Sequence, residues 1–274
     1  MTRGADSYLI KLLDHRISVV LPVYSETESL RTVVEWLTEH LGPSLFEIII
    51  VVSPASSRQS QQMCQELANR DSRVKLHLQR RSPGLGNALR EGISQTQGNV
   101  VLLMDADGEM ENDTVINMLA ELIAGNHDLV VASRWSEGGG FVGYSRLKLV
   151  FNWCFQLLFR WLYWTPIHDL TYGFKAMRGE VARGIGWKGV FHEIACETTL
   201  KPIKLGMKVT EVPSRWTARR QGVSKNNLVR TLRYVSMAVK ILLYGGRSRI
   251  NGLHRSSGDR KVMSRMVSTS QADE

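Results

Sequence analysis

Short apolar runs and amphipathic segments alternate along the first half of the chain. The first run, residues 17–22 (ISVVLP), is rich in β-branched residues and ends in proline, which predicts a buried strand. Residues 28–41 then carry apolar side chains at helical spacing and are followed by Gly42 and Pro43, which predicts a helix that stops there. The two segments together form a β–α unit.

The same alternation continues as far as residue 133. Strands are predicted at 46–52, 74–78, 99–107 and 127–133, and helices at 57–69, 87–96 and 114–124. Strands that alternate with helices predict an α/β fold, in which a mostly parallel sheet is flanked by helices on both faces. Sheets of this kind bind ligands beyond the carboxyl ends of their strands, so we expect the chemistry there.

The second half of the chain has a different pattern. A glycine-rich loop at 137–143 precedes an apolar helix predicted at 147–164, a last strand at 207–213 and a helix at 227–244. We expect a catalytic domain over residues 1–225 and an amphipathic, interfacial helix over 226–245. The segment 246–274 is rich in Ser, Arg and Gly, which predicts a disordered basic tail.

Composition narrows the class of protein. A hydrophobic fraction of 43% and a charged fraction of 22% over 274 residues are typical of a globular protein. The net charge of +9 favours acidic partners such as phosphorylated molecules or an anionic membrane surface. The three cysteines have no metal-site spacing, and no apolar stretch is long enough to span a bilayer. We therefore expect a cytoplasmic protein that is peripheral on the cytoplasmic face of the membrane.

Acidic residues follow one of the predicted strands. In VVLLMDADGE, the apolar run is followed by Asp105, Asp107 and Glu109, and we expect the three carboxylates to converge. Carboxylate oxygens suit Mg²⁺ or Mn²⁺, which usually also bind oxygens of a substrate phosphate. A solvated acidic turn is the alternative, but the position at the end of a central strand favours a metal site.

Four segments carry a resemblance to known enzymes: LPVYSE (21–26), SPGLGNAL (82–89) with the acids that follow, PIHDLTYGFKAMR (166–178), and EVPSRWTARRQGVSK (211–225). They resemble motifs of the family 2 glycosyltransferases, and within them the dolichol-phosphate mannosyltransferase and polyprenyl-phosphate glycosyltransferase group. The resemblance implies a GT-A-like (Rossmann-like) fold. It also implies transfer of a sugar from a nucleotide-sugar donor to a polyprenyl phosphate lipid.

The resemblance also implies roles for individual residues. The catalytic residues are Asp105, Asp107 and Asp169, and the metal ligands are Asp105, Asp107 and Glu109. Donor-binding residues are Pro22, Tyr24, Glu26, Ser53, Gly84, Gly86, Asp105, Ala106, Arg219 and Lys225. Acceptor or phosphate contacts come from Arg134, Arg146, Lys175 and Ser224.

Three positions depart from the family pattern. Ser25 replaces the usual Asn, and Tyr172 replaces the usual Ser. The family usually shows V-D-D-G-S after the second strand, whereas this chain has VVSPASS (51–57) without a carboxylate, and Ser53 is the residue nearest that place. The nucleotide and the sugar therefore stay open.

The supply of cations favours a phosphate acceptor. A sugar hydroxyl needs a general base, whereas a lipid monophosphate, with a second pKa of about 6, arrives largely as a dianion. Cations around the expected site match that need: Arg134, Arg146, Lys175, Arg178, Arg219 and Lys225. Asp169 then positions the sugar or acceptor, or serves as a base. A relative that glycosylates a saccharide or small-molecule hydroxyl, and a non-catalytic membrane-associated binding protein, are the alternatives.

Two segments have the pattern of interfacial helices. Residues 147–164 carry Lys148, Asn152, Gln156 and Arg160 four apart among Trp, Phe and Leu, which places one narrow polar stripe on a wide apolar face. Leu228, Leu232, Val235, Val239 and Leu242 form a second apolar stripe. Burial against the core or a partner subunit is the alternative. The absence of a nucleic-acid motif argues against a nucleic-acid partner, and the oligomeric state stays open.

Overall fold

A computed structural model describes residues 14–81, 83–218 and 228–244, with the side chains of 228–230 and 244 excepted. The strands are β1 (Ile17–Val23), β2 (Leu45–Val52), β3 (Val74–Leu78), β4 (Val100–Leu103), β5 (Leu129–Ser133), β6 (Gly140–Val142), β7 (Lys175–Arg178), β8 (Val209–Pro213) and β9 (Arg215–Thr217). The helices are α1 (Glu28–Leu41), α2 (Arg58–Arg70), α3 (Leu85–Gln95), α4 (Thr114–Ala124), α5 (Arg146–Tyr163), α6 (Gly179–Gly184), α7 (Ile194–Lys204) and α8 (Leu228–Tyr244), and Gly42–Ser44 forms a 3-10 turn.

Seven of the strands form one twisted sheet in the order β3-β2-β1-β4-β7-β5-β8. Neighbouring strands are parallel except at β7, which runs antiparallel between β4 and β5. The short strands β6 and β9 form a separate parallel pair. The α/β fold with a mostly parallel sheet flanked by helices is confirmed.

Both faces of the sheet are covered, which explains why its strands are apolar on both sides. The first core packs α1, α2 and α4 on one face, and the second packs α3, α6 and α7 on the other. Helix α1 shows how the pattern directs this packing, because it buries Leu30, Val33, Val34, Leu37 and Leu41, which recur at helical spacing. A third cluster joins α5, α7 and α8 at one end of the sheet.

Most predicted elements of the first half are found close to their predicted bounds. The strand predicted at 99–107 is shorter, because the chain leaves the sheet after Leu103. Strands β6, β7 and β9 and helices α6 and α7 were not predicted. In the ranges that the structure describes, no helix is long and apolar enough to cross a membrane. The predicted boundary at residue 225 and the predicted tail 246–274 lie outside the described residues.

Candidate active site at the carboxyl edge of the sheet

Segments flanking five strands meet at one edge of the large sheet. Because β1 is parallel to β2 and to β4, the carboxyl ends of these strands lie side by side. Strand β7 is antiparallel, so its first residue, Lys175, pairs with Leu103 of β4 and with Val131 of β5 at that same edge. The segments after β1, β2, β4 and β5 and the segment before β7 therefore border one region, where folds of this type bind ligands.

The acidic segment leaves the sheet directly after β4. Asp105 and Asp107 are half-buried on either side of the buried Ala106. The backbone N–H of Glu109 donates to Asp107 Oδ1 at 3.0 Å. Gly108, between them, has a φ of +75°, a conformation that favours glycine. This tight turn holds the Asp107 carboxylate at the edge of the sheet.

Glu109 is engaged by the short strand β9. The indole N–H of Trp216 donates to Glu109 Oε2 at 3.0 Å. Across the described ranges, no three His, Cys, Asp or Glu side chains are grouped so that they could hold a metal ion. The expected convergence of three carboxylates is therefore not observed, and the metal role of Glu109 stays a prediction. Two carboxylates still fit Mg²⁺ or Mn²⁺, because hard cations are often held by one or two carboxylates together with substrate phosphates.

Arg134, after β5, and Asp169, before β7, form a bidentate ion pair. Arg134 Nε lies 2.7 Å from Asp169 Oδ2, and Nη2 lies 3.0 Å from Oδ1. The Asp169 side chain is fully buried and that of Arg134 is 9% exposed. The guanidinium also lies over the Tyr172 ring, 4.3 Å from its centroid. These contacts fix the orientation of Arg134.

The ion pair sets the charge of both partners. Burial alone raises the pKa of a carboxyl, but the Arg134 guanidinium and the hydrogen bonds from Arg134 and Thr171 hold the pKa of Asp169 below its ordinary value. Burial lowers the pKa of Arg134, and the attraction of Asp169 outweighs it, so the pKa is raised overall. A buried carboxylate with a low pKa is a weak proton acceptor, which favours positioning over base catalysis for Asp169.

Lys175 is buried, contrary to the prediction that it contacts a phosphate. Its side chain is inaccessible to solvent, and Nζ donates to the carbonyl of Ala195 at 2.8 Å and to that of Tyr172. Burial lowers the pKa of Lys175 to about 7, although Asp169 and Asp105 act in the opposite direction. Lys175 therefore lies inside the fold between the acidic segment and the ion pair and does not line the open edge.

The predicted donor residues after β1 and β2 lie at this edge. The Glu26 carboxylate accepts the backbone N–H groups of Tyr24 at 2.7 Å and of Ser25 at 2.9 Å, which fixes the turn after β1. The Tyr24 side chain is left exposed. Ser53 is buried, and its N–H donates to the Val23 carbonyl at 3.0 Å, so the two turns are joined.

The predicted donor-binding glycines have a different structural role. Gly84 has a φ of +133°, and a Cβ there would lie 2.2 Å from the carbonyl oxygen of Val190. A Cβ at Gly86 would lie 2.4 Å from the carbonyl oxygen of Gly189. The missing side chains thus allow close packing of the 189–190 backbone against the start of α3. This packing accounts for the two glycines without a ligand, and their predicted contact with the donor stays a prediction.

Helix α5 buries Gln156, Phe159 and Tyr163 on its inward side and exposes a wide apolar surface on its outward side. Asn152 accepts the indole N–H of Trp135 at 2.8 Å, and Gln156 donates to Thr171 Oγ1 at 2.9 Å. Phe159 and Tyr163 pack in the third core cluster. The outward side presents exposed large apolar residues, here called the apolar face: Leu147, Val150, Phe151, Trp153, Leu157, Leu158, Trp161 and, just after the helix, Trp164.

Helix α8 packs beside α5 and extends this exposed surface. The Tyr163 hydroxyl donates to the Ala238 carbonyl at 2.6 Å, and Ala238 itself is buried. Leu232, Val235 and Val239 of the predicted stripe are exposed, as is Leu243. Leu242 is half-buried, and the side chain of Leu228 lies outside the described residues. Exposed apolar surfaces of this extent are uncommon on soluble monomers and mark sites that contact lipid or protein.

Comparison with known proteins identifies the family. The model of glycosyl transferase family 2 matches residues 18–186. The chain belongs to this family. It is 32% identical to polyprenol monophosphomannose synthase of Mycolicibacterium smegmatis, over 77% of this chain and 80% of that protein. It is 28% identical to dolichol-phosphate mannosyltransferase of Pyrococcus furiosus, over 77% of this chain and 59% of that protein. The resemblance inferred from the motifs is thus confirmed, and the protein is a glycosyltransferase.

Among solved structures, a similar fold is found in glucosyl-3-phosphoglycerate synthase of Mycobacterium tuberculosis, crystallised with Mn²⁺, UDP-glucose and phosphoglyceric acid. The TM-score is 0.63 and the identity 17%, with 92% of this chain and 87% of that chain covered. At this identity the similarity establishes the fold alone, which is the GT-A-like fold expected from the sequence.

An aromatic row crosses the site of this family 2 glycosyltransferase and was missed by sequence reasoning. The rings of Trp135 and Phe141 are 4.9 Å apart, those of Phe141 and Tyr144 are 4.9 Å apart, and those of Tyr144 and Trp216 are 5.1 Å apart. Arg134 lies over Phe141, 5.1 Å from the ring centroid, and Trp216 binds Glu109. The row therefore connects the ion pair to the acidic segment. Phe141 lies in β6, Trp135 and Tyr144 flank the glycine-rich loop, and Trp216 lies in β9, so no local pattern predicts that the four rings meet.

The remaining predicted residues have the following positions. Arg146 is exposed in the first turn of α5, directly after Ser145, and Pro22 is half-buried in β1. Arg219, Ser224 and Lys225 lie outside the described residues. The described chain reaches Ala218, whose N–H donates to the Val142 carbonyl at 2.9 Å. The roles of these five residues stay predictions. The expectation that Arg178 lies near the site is wrong, because it pairs with Val100 at the opposite end of β7 and donates to the His127 carbonyl at 3.0 Å.

Proposed function

We propose that this glycosyltransferase moves a sugar from a nucleotide-sugar donor to a polyprenyl phosphate, with inversion at the anomeric carbon and with a divalent metal. The main support for a lipid acceptor is the apolar face of α5, which begins beside the site and is exposed along the helix. Two relatives support the same class of substrate, because the Mycolicibacterium protein is named a polyprenol monophosphomannose synthase and the Pyrococcus protein a dolichol-phosphate mannosyltransferase.

The donor lies, in this proposal, along the segments after β1, β2 and β4. Tyr24 offers an exposed ring, and Asp105 and Asp107 offer carboxylates at the strand end. These two carboxylates would hold Mg²⁺ or Mn²⁺ jointly with the donor diphosphate. Such an ion stabilises the negative charge of the departing nucleotide diphosphate. Arg219 and Lys225 are proposed to bind the same diphosphate.

The acceptor phosphate is proposed to lie between Arg134 and Arg146. A phosphate dianion needs no general base, and its requirement is for cations that hold it in line with the anomeric carbon. Arg134 is kept in one orientation by Asp169, while Arg146 is exposed at the N-terminus of α5, where the helix dipole also favours an anion. A single displacement by the phosphate oxygen inverts the anomeric configuration.

Purified protein incubated with polyprenyl phosphate, Mn²⁺ or Mg²⁺ and a panel of nucleotide-sugars tests the proposal, with glycosylated lipid detected by mass spectrometry. Product is expected with polyprenyl phosphate and not with the matching polyprenol, which lacks the phosphate. Saccharides and small molecules that offer a hydroxyl group are included as acceptors to test the alternative activity. Transfer to those acceptors alone, or no lipid product with any donor, would contradict the proposal.

Peripheral membrane binding is the second part of the proposal. Leu158 lies on the apolar face and is 51% exposed, whereas Leu78 on the edge strand β3 is 63% exposed. Because burying a leucine side chain stabilises by about 1.5–3 kcal/mol, Leu158→Ser should weaken binding to anionic phospholipid vesicles by roughly tenfold or more. The matched variant Leu78→Ser should bind vesicles like the wild type. Equal binding by both variants in cosedimentation would contradict an α5 contact with lipid.

A further inference from the structure

One polar side chain of α5 reaches from this largely exposed helix into the core. Gln156 is 3% exposed, although its helix neighbours Leu157 and Leu158 are exposed. Its Nε2 donates to Thr171 Oγ1 at 2.9 Å and to Asp169 Oδ1 at 3.2 Å. Its Oε1 accepts the backbone N–H of Leu170 at 2.8 Å. Gln156 thus contacts three consecutive residues of the segment that precedes β7.

The chemistry of these partners fixes the orientation of the Gln156 amide. A backbone N–H can only donate, so Oε1 must face Leu170, and Nε2 then faces the carboxylate of Asp169. Exchange of the two amide atoms would oppose donor to donor and leave a buried carboxylate oxygen with one donor fewer. The amide therefore has one satisfied orientation.

Gln156 and Arg134 share the same carboxylate oxygen. Asp169 Oδ1 accepts from Gln156 at 3.2 Å, from Arg134 Nη2 at 3.0 Å and from the Thr171 N–H at 3.1 Å. Gln156 therefore links α5 directly to the carboxylate that orients Arg134. Asn152, one turn earlier, adds a contact from its Nδ2 to Thr171 Oγ1 at 3.3 Å.

We infer that Gln156 is a positioning residue through which the seating of α5 on lipid is transmitted to the Arg134–Asp169 pair. The inference rests on the proposed function, because it takes lipid as the occupant of the apolar face and a phosphate as the ligand of Arg134. When the apolar face is seated, α5 is immobilised, and Gln156 holds Asp169 and hence Arg134 in the orientation that binds the acceptor phosphate.

The test separates membrane seating from acceptor delivery. A short, water-soluble isoprenyl phosphate is the acceptor, and vesicles of anionic phospholipid without acceptor are added or omitted. Binding at one site of a protein typically changes the affinity of a coupled site by about 5–150-fold. Vesicles should therefore lower the KM of the wild type for the soluble acceptor by about fivefold or more. Gln156→Met should show less than a twofold response, with vesicle cosedimentation and the KM for the donor unchanged.

A buried glutamine elsewhere provides the matched control. Gln79 is 4% exposed and donates to the carbonyls of Arg81 and Gly84 at 3.0 Å and 2.9 Å. Gln79→Met removes a comparable buried amide, and its response to vesicles should equal that of the wild type. If Gln156→Met does not fold, as judged by thermal unfolding, Asn152→Leu decides the question, because the half-buried Asn152 supports the same segment and its loss should reduce the response partially.

Amide hydrogen exchange, which does not depend on sugar transfer, distinguishes a failure of the Gln156 inference from a failure of the proposed function. The Leu170 amide donates to Gln156, so its hydrogen exchange should slow by about fivefold or more when vesicles bind the wild type, and it should not slow in Gln156→Met. Unchanged exchange at Leu170, or a wild-type vesicle response in Gln156→Met, would overturn the inference even if sugar transfer is observed. Slowed exchange without any transfer to isoprenyl phosphates would overturn the proposed function instead.

Discussion

Asp169→Asn is the substitution that most directly probes the buried ion pair. Asparagine keeps the size of the side chain and can still accept from Thr171 and Gln156 through Oδ1. Its amide nitrogen would then occupy the place of Oδ2, where Arg134 Nε donates at 2.7 Å, so a donor would face a donor. The guanidinium, 9% exposed, would remain charged and without a counter-ion.

The expected loss of stability is large and depends on pH. Removing one partner of a buried pair costs about 3–5 kcal/mol, a large part of the 5–15 kcal/mol by which domains are typically stable. The folded-state pKa of Asp169 lies below its unfolded value, so its contribution is fully present above the unfolded pKa of about 3.9 and is lost as the pH falls through the folded pKa. The difference between wild type and variant should be constant from about pH 6 to 8 and shrink in acid.

Urea unfolding of both proteins at several pH values measures this difference. Glu66→Gln provides the exposed control, because Glu66 is 40% exposed in its ion pair with Arg70, and its loss should cost less than about 1 kcal/mol. Replacing the pair by Arg134→Met and Asp169→Leu together should recover much of the stability, since no buried charge is left unpaired. A cost below about 1 kcal/mol for Asp169→Asn at pH 7 would refute the reasoning.

Three further outcomes are expected. Asp107→Asn should lower kcat at saturating metal by at least about a hundredfold, which corresponds to a rise of about 2.7 kcal/mol in the activation free energy. The control Asp113→Asn, at an exposed position, should keep kcat within twofold of the wild type. Equal kcat values for Asp107→Asn and the wild type would exclude a role of Asp107 in transfer. Gly84→Ala should lower the free energy of unfolding, measured in urea, by about 1–3 kcal/mol, because Gly84 has a positive φ and its Cβ would meet the Val190 carbonyl. The control Gly186→Ala should change the free energy of unfolding by less than about 0.5 kcal/mol, because Gly186 has open space around it. Because the pKa of Lys175 is lowered to about 7 in the fold, the free energy of unfolding of the wild type relative to Lys175→Met should rise by about 1 kcal/mol per pH unit from pH 7 to 10. A profile that does not change with pH would contradict that pKa.

Local pattern determined much of the fold of this glycosyltransferase. Helix α1 was predictable because its five buried residues recur at helical spacing, and β1 because a β-branched run ends at Pro22. Asp105 and Asp107 were predictable as site candidates for a related reason, since acids that follow an apolar strand must lie at the edge of the sheet. Strand β7 was not predicted, because its four residues contain Lys175 and Arg178 and no alternation marks them as sheet.

Contacts between distant segments were decided by tertiary structure alone. The sequence showed that Lys175 is a cation, but only the pairing of β7 with β4 and β5 made it a buried one. Polar residues four apart showed that α5 has two unlike faces, and periodicity does not tell which face is inward. The inward direction follows from the partners of Gln156, which are brought to it by the segment before β7. Asp169 and Thr171 supply polar partners for Gln156, and the third core cluster takes up Phe159 and Tyr163, so these side chains face inward and the other apolar residues of α5 are left exposed.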